Sequence, residues 1–319
     1  MSSKVLITGI TGQDGGYLAE QLAGAGDEVH GIAREGDEAA EELLSRVPAA
    51  ILHAWDITDT DGIAALLREI EPAEIYHLAG ISSVAQSWEQ PTATAMVTGL
   101  AVAGMLDAVW QLGQDGVPVR FVQASSGEMF GNPATAPQNE GTAIAPVSPY
   151  GAAKAYAHHL VGVYRARGLH ASSVILYNHE SPRRPPMFVT RKITSAAARI
   201  AAGSTETLAL GNLDARRDWG WAPDYVEAMV LAAGHEQPGD YVIATGVSHT
   251  VREFVAAAFT AAGVQNWEPK VVTDPAFLRP VDAVDLTGDA GRARQVLGWA
   301  PTVPFEEIVA RMVRADLDA

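Results

Sequence analysis

Short apolar runs alternate with longer amphipathic segments through the first half of the chain. The runs typical of buried strands are residues 5–8, 28–33, 51–54, 75–78, 119–124 and 173–176. The amphipathic segments between them, which are long enough to be crossover helices, include residues 17–25, 61–71, 92–112 and 150–167. Repeated strand–helix units predict an α/β fold with a doubly wound, parallel, Rossmann-type sheet.

The pattern changes after residue 178. A stretch rich in Pro and Arg at residues 181–186 precedes a predicted helix over 190–203, and Gly and Pro then divide the chain into loops and short strands. The predicted division is residues 1–177 for a dinucleotide-binding domain, 178–210 and 248–319 for most of a smaller C-terminal substrate lobe, and 211–247 for a segment that packs back on the first domain.

Composition excludes several classes of protein. A hydrophobic content of 48% supports a full core and excludes disorder as the main state. The net charge of −16 opposes sequence-independent binding to nucleic acid or to an anionic membrane. Because the chain has no cysteine, it has neither disulfides nor thiolate metal sites. The nine histidines lack the spacing of metal ligands, so no metal is predicted.

Targeting signals are not predicted. The apolar run at residues 5–8 is too short for a signal-peptide core and leads directly into glycines. The longest stretch without a charged residue, 90–106, contains Gln90, Pro91 and three threonines and falls short of a membrane span. These features predict a soluble, cytoplasmic protein.

A glycine-rich segment joins the first predicted strand to the first predicted helix. Its glycines at 9, 12 and 15 have the spacing G-x-x-G-x-x-G. Such glycines allow a tight turn and a close approach of the backbone to a pyrophosphate at a helix N-terminus. A plain glycine-rich turn is the alternative. The predicted dinucleotide contacts here are Gly9, Thr11, Gly12, Gln13, Asp14 and Gly15.

The end of the second strand bears on the choice of dinucleotide. An acid about 20 residues beyond the loop binds the ribose of NAD, whereas a basic residue accommodates the 2′-phosphate of NADP. Arg34 favours NADP, and Glu35 keeps NAD as the alternative. The further predicted cofactor contacts are Asp56, Ile57, Leu78 and Ala79, at the ends of the third and fourth strands, together with Tyr150 and Lys154.

Tyr150 and Lys154 have the spacing Tyr-x-x-x-Lys at the start of a predicted helix, so both lie on one face. A tyrosine with a pKa near 10 is a poor base at neutral pH, but a neighbouring ammonium and an oxidised nicotinamide both favour the phenolate. Tyr150 is therefore a candidate base for a sugar or alcohol hydroxyl, with Lys154 supporting it. The motif alone is common, and an aromatic cap beside a solvated lysine is the alternative.

Ser126 and Glu128 follow the fifth predicted strand, at the sheet edge where doubly wound folds bind ligands. Ser126 can hydrogen-bond the hydroxyl that Tyr150 deprotonates. Glu128 can act as a second acid or base. Capping of the following turn is the alternative for both residues.

The glycine loop with Ser126, Tyr150 and Lys154 resembles the extended short-chain dehydrogenase/reductase superfamily. Three further strings look like the GDP-mannose 4,6-dehydratase family. They are Tyr-Asn-His-Glu-Ser-Pro-Arg-Arg at 177–184, Phe-Val-Thr-Arg-Lys-Ile-Thr at 188–194 and Leu-Gly-Asn-Leu-Asp-Ala-Arg-Arg-Asp-Trp at 210–219. The resemblance spans nearly the whole chain.

The resemblance implies a redox-neutral dehydration that uses tightly held NADP. Tyr150 would remove the O4 proton while the C4 hydride passes to the nicotinamide, and Ser126 would hold O4. The resulting ketone acidifies the C5 proton, which Glu128 would remove as the C6 hydroxyl leaves as water, before hydride returns to C6. Glu128 would separate this chemistry from simple oxidation.

The resemblance also implies a nucleotide-sugar site. Between residues 181 and 217 the basic residues outnumber the acidic ones by seven to two, which suits a diphosphate. In the family, Asn178, Arg216 and Arg279 bind the diphosphate-sugar, and Arg191 with Lys192 lies near the guanine. The residues expected to bind the nucleotide sugar are Ser83, Ser126, Glu128, Asn178, Arg191, Lys192, Arg216 and Arg279.

The chain departs from the family pattern near the expected sugar pocket. Ser126 stands where a threonine is usual, Pro185-Pro186-Met187 replaces Gly-Glu-Asn, Ile81 and Ser83 replace a Gln and a His, and Trp221 replaces another His. Segment 35–48 is shorter and more acidic than the family loop that reaches a neighbouring subunit. A homodimer through the helices at 92–112 and 150–167 is therefore expected in place of a tetramer.

Two other functions remain open on the same scaffold. A nucleotide-sugar 4-reductase or epimerase is the first, because Ser82, Ser83 and Val84 with the shortened loop also occur in related reductases. A non-catalytic dinucleotide sensor is the second. The presence of Ser126, Glu128, Tyr150 and Lys154 together argues against a sensor, because binding alone requires no acid–base set.

Overall fold

The computed structural model describes residues 3–278, 281 and 285–319. The strands are β1 (Lys4–Thr8), β2 (Glu28–Ala33), β3 (Ile51–Ala54), β4 (Glu74–His77), β5 (Arg120–Ser126), β6 (His170–Leu176), β7 (Asn178–Glu180), β8 (Leu208–Leu210), β9 (Arg216–Trp221), β10 (Asp240–Ile243), β11 (Ser248–Thr250), β12 (Val271–Thr273) and β13 (Asp285–Leu286). The α-helices are α1 (Gln13–Gly24), α2 (Ala39–Arg46), α3 (Thr60–Ile70), α4 (Val84–Glu89), α5 (Pro91–Thr94), α6 (Ala101–Gln114), α7 (Pro149–Ala166), α8 (Val189–Ala201), α9 (Ala222–Gly234), α10 (Val251–Ala261) and α11 (Phe305–Leu317).

A parallel sheet of seven strands forms the centre of the molecule, in the order β10-β6-β5-β4-β1-β2-β3. Each of the first six strands overlaps a predicted strand, and β2 and β3 have the predicted bounds. The predicted α/β fold with a parallel Rossmann-type sheet is therefore confirmed. The short apolar runs were informative because both faces of a parallel sheet are covered by helices.

Two hydrophobic cores lie on opposite faces of this sheet. One contains Leu18 of α1 and Met229 of α9. The other contains Leu66 of α3, Leu106 of α6 and Val161 of α7. This arrangement leaves the carboxyl ends of β1, β4 and β5 at one edge, where the catalytic candidates lie.

The smaller lobe is built around β9, which pairs with β7, β11 and β13. Its core contains Trp219 with buried side chains of α8, α10 and α11. After β9 the chain returns to the first body, because α9 packs on α1 and β10 pairs with β6. The proposed domain boundaries themselves stay a prediction.

Three local differences separate the structure from the sequence interpretation. Helix α1 begins at Gln13, not near Tyr17, so the end of the glycine loop is its first turn. Strand β5 extends to Ser126, which makes Ser126 a strand residue. The acidic segment contains a helix, α2, that the sequence analysis does not predict, because the helix is only eight residues long and Leu43 is its only buried residue.

A continuous helical path runs from Pro91 to Gln114, with a π-helical segment at Ala95–Leu100. Its length and apolar composition match those of a membrane span. Half of the most apolar 18 residues of this helical path are nonetheless buried inside the protein, and α6 packs against α3 and α7. Core helices meet the same criterion of length and composition, so this helix is weak support for a membrane span.

Candidate active site

The glycine loop turns the chain tightly between β1 and α1. Gly9 has φ +69°, a conformation that residues with a Cβ rarely adopt, and its amide donates to the Ile32 carbonyl at 3.1 Å. A Cβ on Gly15 would lie 2.3 Å from the Gly9 carbonyl oxygen. Gly12 caps α1 without a side chain, so no side-chain acceptor occupies the amides of the first turn. This cradle suits an anionic group at the helix N-terminus.

Replacing Gly15 with alanine should weaken dinucleotide binding by more than about tenfold, because the new methyl group forces the loop away from α1. Calorimetric titration of the purified variant with a nicotinamide dinucleotide measures the change. Gly24→Ala is the matched control, since a Cβ on Gly24 of the same helix has no neighbour within 4 Å. Equal affinities for the two variants would contradict a role for the loop in binding.

Thr8 holds the loop to the neighbouring strand. Its hydroxyl oxygen accepts hydrogen bonds from the amides of Leu78 and Ala79, both at 3.1 Å, and lies 3.0 Å from Nδ1 of His77. A Cβ on Gly9 would lie 3.0 Å from the Ala79 backbone. Leu78 and Ala79, two predicted cofactor contacts, therefore border the glycine loop directly.

Three other predicted cofactor residues of the loop have partners inside the protein. The Thr11 hydroxyl donates to the Asp37 carboxylate at 2.8 Å. The Gln13 amide accepts from the Ser181 hydroxyl at 2.8 Å and donates to the His179 carbonyl at 3.3 Å. Asp14 contacts Nε2 of His179 at 2.8 Å. The bond of Thr11 joins the loop to the segment that follows β2, and the bonds of Gln13 and Asp14 join it to the segment that follows β6.

The Asp14–His179 pair is buried, and its charges support each other. Burial acts to raise the pKa of Asp14, but the His179 charge and hydrogen bond hold that pKa below its usual range. Burial likewise acts to lower the pKa of His179, and Asp14 reverses this, so that the pKa is raised. The sequence analysis missed His179 and Ser181 as partners of the loop. The position of both residues in the family string at 177–184 is the sequence feature that could have indicated these contacts.

The four catalytic candidates meet at the end of β5 and the start of α7. The Ser148 hydroxyl caps α7 by accepting from the Gly151 amide at 3.0 Å, which sets Tyr150 in the first turn. Tyr150 is hydrogen-bonded to the Ser126 side chain. Nζ of Lys154 lies 5.9 Å from the centre of the Tyr150 ring and donates to the carbonyl of Ala124 in β5 at 2.8 Å.

Glu128 lies in a short 3-10 turn, Gly127–Phe130, directly after β5. Its amide donates to the Ser126 hydroxyl at 3.2 Å, and its charge acts on the pKa of Tyr150. A Cβ on Gly151 would lie 2.6 Å from the Glu128 carbonyl oxygen, so glycine at 151 lets α7 approach this turn. The turn and the helix thus bring Glu128 and Tyr150 to one place.

Burial dominates the acid–base properties of the site. It raises the pKa of Tyr150 to about 12, against the hydrogen bond from Ser126, which lowers it. It lowers the pKa of Lys154 to about 8, against the Asp14 charge, which raises it. Tyr150 therefore holds its proton at neutral pH until a further positive charge comes close, and Lys154 is still charged there.

The predicted nucleotide-sugar residues lie mostly in the smaller lobe and contact neighbouring groups. Arg216 donates to the Ser248 carbonyl at 2.6 Å. Arg191 forms an ion pair with Asp316 of α11, and Lys192 donates to the Ala209 carbonyl at 2.9 Å.

The other predicted site residues are more scattered. Asn178 begins β7 and pairs in register with Trp219. Ser83 caps α4. Asp56 is exposed and accepts from Thr58, whereas Ile57 is buried. Arg279 lies outside the described residues.

Comparisons with known proteins concern the family and the fold of the chain. Residues 6–312 match the family described as GDP-mannose 4,6 dehydratase. GDP-mannose 4,6 dehydratase 1 of Arabidopsis thaliana is 45% identical over 98% of this chain and 89% of its own length. A UDP-glucose 4-epimerase from Thermotoga maritima, solved with UDP-glucose, superposes with a TM-score of 0.87 at 25% identity, over 98% of each chain.

A dTDP-glucose 4,6-dehydratase from Streptomyces venezuelae, solved with NAD bound, superposes with a TM-score of 0.85 at 25% identity, over 98% of this chain and 96% of that chain. The fold is thus shared with enzymes that act on nucleotide sugars. The match of the whole sequence is more specific, and it shows that this chain belongs to the GDP-mannose 4,6 dehydratase family.

Proposed function

We propose that this protein is a nucleotide-sugar 4,6-dehydratase that removes water from a GDP-hexose, with GDP-mannose as the substrate and GDP-4-keto-6-deoxy-mannose as the product. The observation that carries the proposal is the cluster of Ser126, Glu128, Tyr150 and Lys154 at one sheet edge. The family match and the names of the relatives support the GDP-hexose.

A nicotinamide dinucleotide is the implied cofactor, and the residues present fit it. A Cβ on Gly9 or Gly15 would meet backbone atoms of the protein, so these glycines allow the tight turn, and the N-terminus of α1 carries no side-chain cap that would compete with a pyrophosphate. Related folds carry NAD in their solved structures, which supports this cofactor class. When bound, this group would supply a hydride acceptor for C4 and a hydride donor for C6. Of the two forms, Arg34 supports NADP, and the carboxylates around it support NAD.

The residues of the chain divide the proton transfers between them. Tyr150, as phenolate, takes the proton of the C4 hydroxyl, which Ser126 positions through a hydrogen bond. Lys154 stabilises the phenolate by charge. Glu128 then takes the C5 proton, which the adjacent ketone has acidified, and gives it to the C6 hydroxyl, which leaves as water. The proton that Tyr150 took from O4 is the one available for C5 when hydride is added at C6. The atoms balance as the substrate minus one water.

The test is to incubate the purified protein with GDP-mannose and no added reductant, and to follow the nucleotide sugar by mass spectrometry. Loss of one water without net change in the cofactor is expected. An intact sugar, or one converted only after a reduced dinucleotide is added, would favour a 4-reductase or epimerase. A cytoplasmic location, expected from the sequence, stays a prediction.

We also propose a homodimer whose subunits meet through the predicted helices at residues 92–112 and 150–167. Four large apolar side chains on these helices are between 42% and 55% exposed, namely Met96, Leu100, Tyr156 and Val163. Burial of such a face against a second copy is the usual arrangement for an apolar patch of this kind.

The double variant Leu100→Glu, Val163→Glu should be monomeric, because four buried carboxylates per dimer would oppose association. Light scattering after size exclusion measures the mass, which should halve. Val272→Glu is a similar change at a residue of the smaller lobe that is 46% exposed. This variant should have the same mass in solution as the wild-type protein. A dimeric double variant would place the interface elsewhere.

A further inference from the structure

Tyr177 is a buried residue that the proposed proton transfers do not use. It lies between β6, which ends at Leu176, and β7, which begins at Asn178. The register of the central sheet pairs Leu176 with Ser126, the last residue of β5. The residues that follow these two strands, Tyr177 and Gly127, are therefore neighbours just beyond the end of the ladder.

The ring of Tyr177 lies directly against the 3-10 turn that carries Glu128. A Cβ on Gly127, the first residue of that turn, would lie 3.0 Å from Cζ of Tyr177 and 3.1 Å from Cε2. The turn can pack this closely on the ring because residue 127 is glycine. Ser126 is held by the strand ladder, whereas Glu128 lies beyond it. The orientation of Glu128 therefore depends on this contact more than that of Ser126 does.

The segment that follows β13 holds the ring from the smaller lobe. A Cβ on Gly288 would lie 2.8 Å from Cε2 of Tyr177. The Tyr177 hydroxyl donates to Oε1 of the fully buried Gln138 at 2.8 Å. The Gln138 amide donates to the Thr287 carbonyl at 2.8 Å, and the Gln138 carbonyl accepts from the Asp289 amide at 2.7 Å. The ring is thus fixed between this segment and the 3-10 turn.

Tyr177 is a hydrogen-bond donor and does not act as an acid or base. Burial raises the pKa of its hydroxyl, and the charges of Asp218 and Glu140 act in the same direction. The hydroxyl therefore keeps its proton at neutral pH, and Gln138 accepts it in a hydrogen bond. The contribution of Tyr177 to the reaction is then a matter of position alone.

We propose that Tyr177 is a positioning residue for Glu128, whose turn it holds so that the carboxylate meets C5 and C6 of the sugar. The proposal rests on the function proposed above, in which Glu128 carries out the elimination. It concerns the elimination and not the oxidation at C4, because Ser126 is fixed by the sheet, and Tyr150 and Lys154 by α7.

The first test needs no nucleotide sugar. Tyr177→Leu removes the ring beneath the turn, so hydrogen exchange of the amides at 127–131 should become about tenfold faster, as mass spectrometry of peptides measures. Tyr177→Phe keeps the ring and should exchange at the wild-type rate. Tyr241→Leu is the matched control at a tyrosine of the same core that is 1% exposed, and it should leave exchange at 127–131 unchanged. Unchanged exchange in Tyr177→Leu would overturn the proposal.

The second test separates the two steps of the reaction in a single turnover with GDP-mannose. In Tyr177→Leu the ratio of the elimination rate to the rate of C4 oxidation should fall about tenfold, because a small displacement of Glu128 affects the elimination alone. Rapid quenching and mass spectrometry measure the 4-keto hexose that keeps its C6 hydroxyl. Tyr177→Phe should restore the wild-type ratio. An unchanged ratio in Tyr177→Leu, or equal slowing of both steps, would refute the positioning role.

Gly127→Ala tests the same contact from the other side, in case Tyr177→Leu fails to fold. Its methyl group would press on the ring and displace the turn, so the ratio should fall about threefold. Gly113→Ala, at a helical glycine whose Cβ would have no neighbour within 4 Å, should leave it unchanged. Equal ratios in these two variants would contradict the proposal. A wild-type protein that leaves GDP-mannose intact would refute the proposed function, whereas the exchange rates still decide whether Tyr177 holds the turn.

Discussion

Replacing Tyr150 with phenylalanine is expected to lower kcat for GDP-mannose dehydration by about a thousandfold or more. The phenolic oxygen is the base within hydrogen-bond reach of Ser126, and phenylalanine has no atom that could accept the proton. The protein should still bind dinucleotide, because the glycine cradle is unchanged. Initial rates of water loss, followed by mass spectrometry, measure the effect.

Tyr164→Phe is the control for this variant, since Tyr164 lies on the same helix and its hydroxyl contacts Asp107 at the surface. It should react at the wild-type rate. The pH profile adds a second check. Because the base form of Tyr150 is required, the wild-type rate should fall as the pH falls. The residual rate of Tyr150→Phe should not show this dependence on pH. A Tyr150→Phe protein that turns over normally would assign the base to another residue.

Glu128→Gln is expected to slow dehydration about a hundredfold while C4 oxidation continues. An amide cannot accept the C5 proton, so the reaction should stop after the first oxidation, with Tyr150, Ser126 and Lys154 intact. Rapid quenching followed by mass spectrometry should therefore detect a 4-keto hexose that keeps its C6 hydroxyl.

Glu89→Gln, at an exposed position at the end of α4, is the matched loss of one carboxylate and should leave the rate unchanged. A Glu128→Gln protein that loses water as fast as the wild type would remove Glu128 from the elimination. Slowing of both steps to the same extent would indicate that Glu128 positions the sugar and does not transfer the proton.

The sequence predicted the central sheet well and the helices less precisely. Strands β2 and β3 are short apolar runs, so their bounds could be predicted directly. The bounds of helix α2 could not be predicted in this way, because it buries one side chain and contacts another helix through the ion pair between Arg46 and Glu20. Such a contact has no local signature in the sequence.

The site shows the same contrast. Tyr150 and Lys154 are four residues apart on one helix, so their juxtaposition follows from helical geometry alone. The contacts of the glycine loop do not follow from local geometry. Thr11 donates a hydrogen bond to Asp37 across a turn, and Asp14 contacts His179, which lies 165 residues further along the chain. The first contact depends on the turn after β2 and the second on the course of the chain after β6, and periodicity encodes neither.

The return of the chain to the central sheet after the smaller lobe has a consequence for synthesis on the ribosome. Strand β6 pairs on one side with β5 and on the other with β10, which lies more than sixty residues further along the chain. Until β10 emerges, β6 is an unpaired edge, and unpaired edges invite association between nascent chains. The nucleotide-binding half therefore cannot close its sheet before much of the smaller lobe has been made, and the two parts are expected to acquire their stability in one cooperative step.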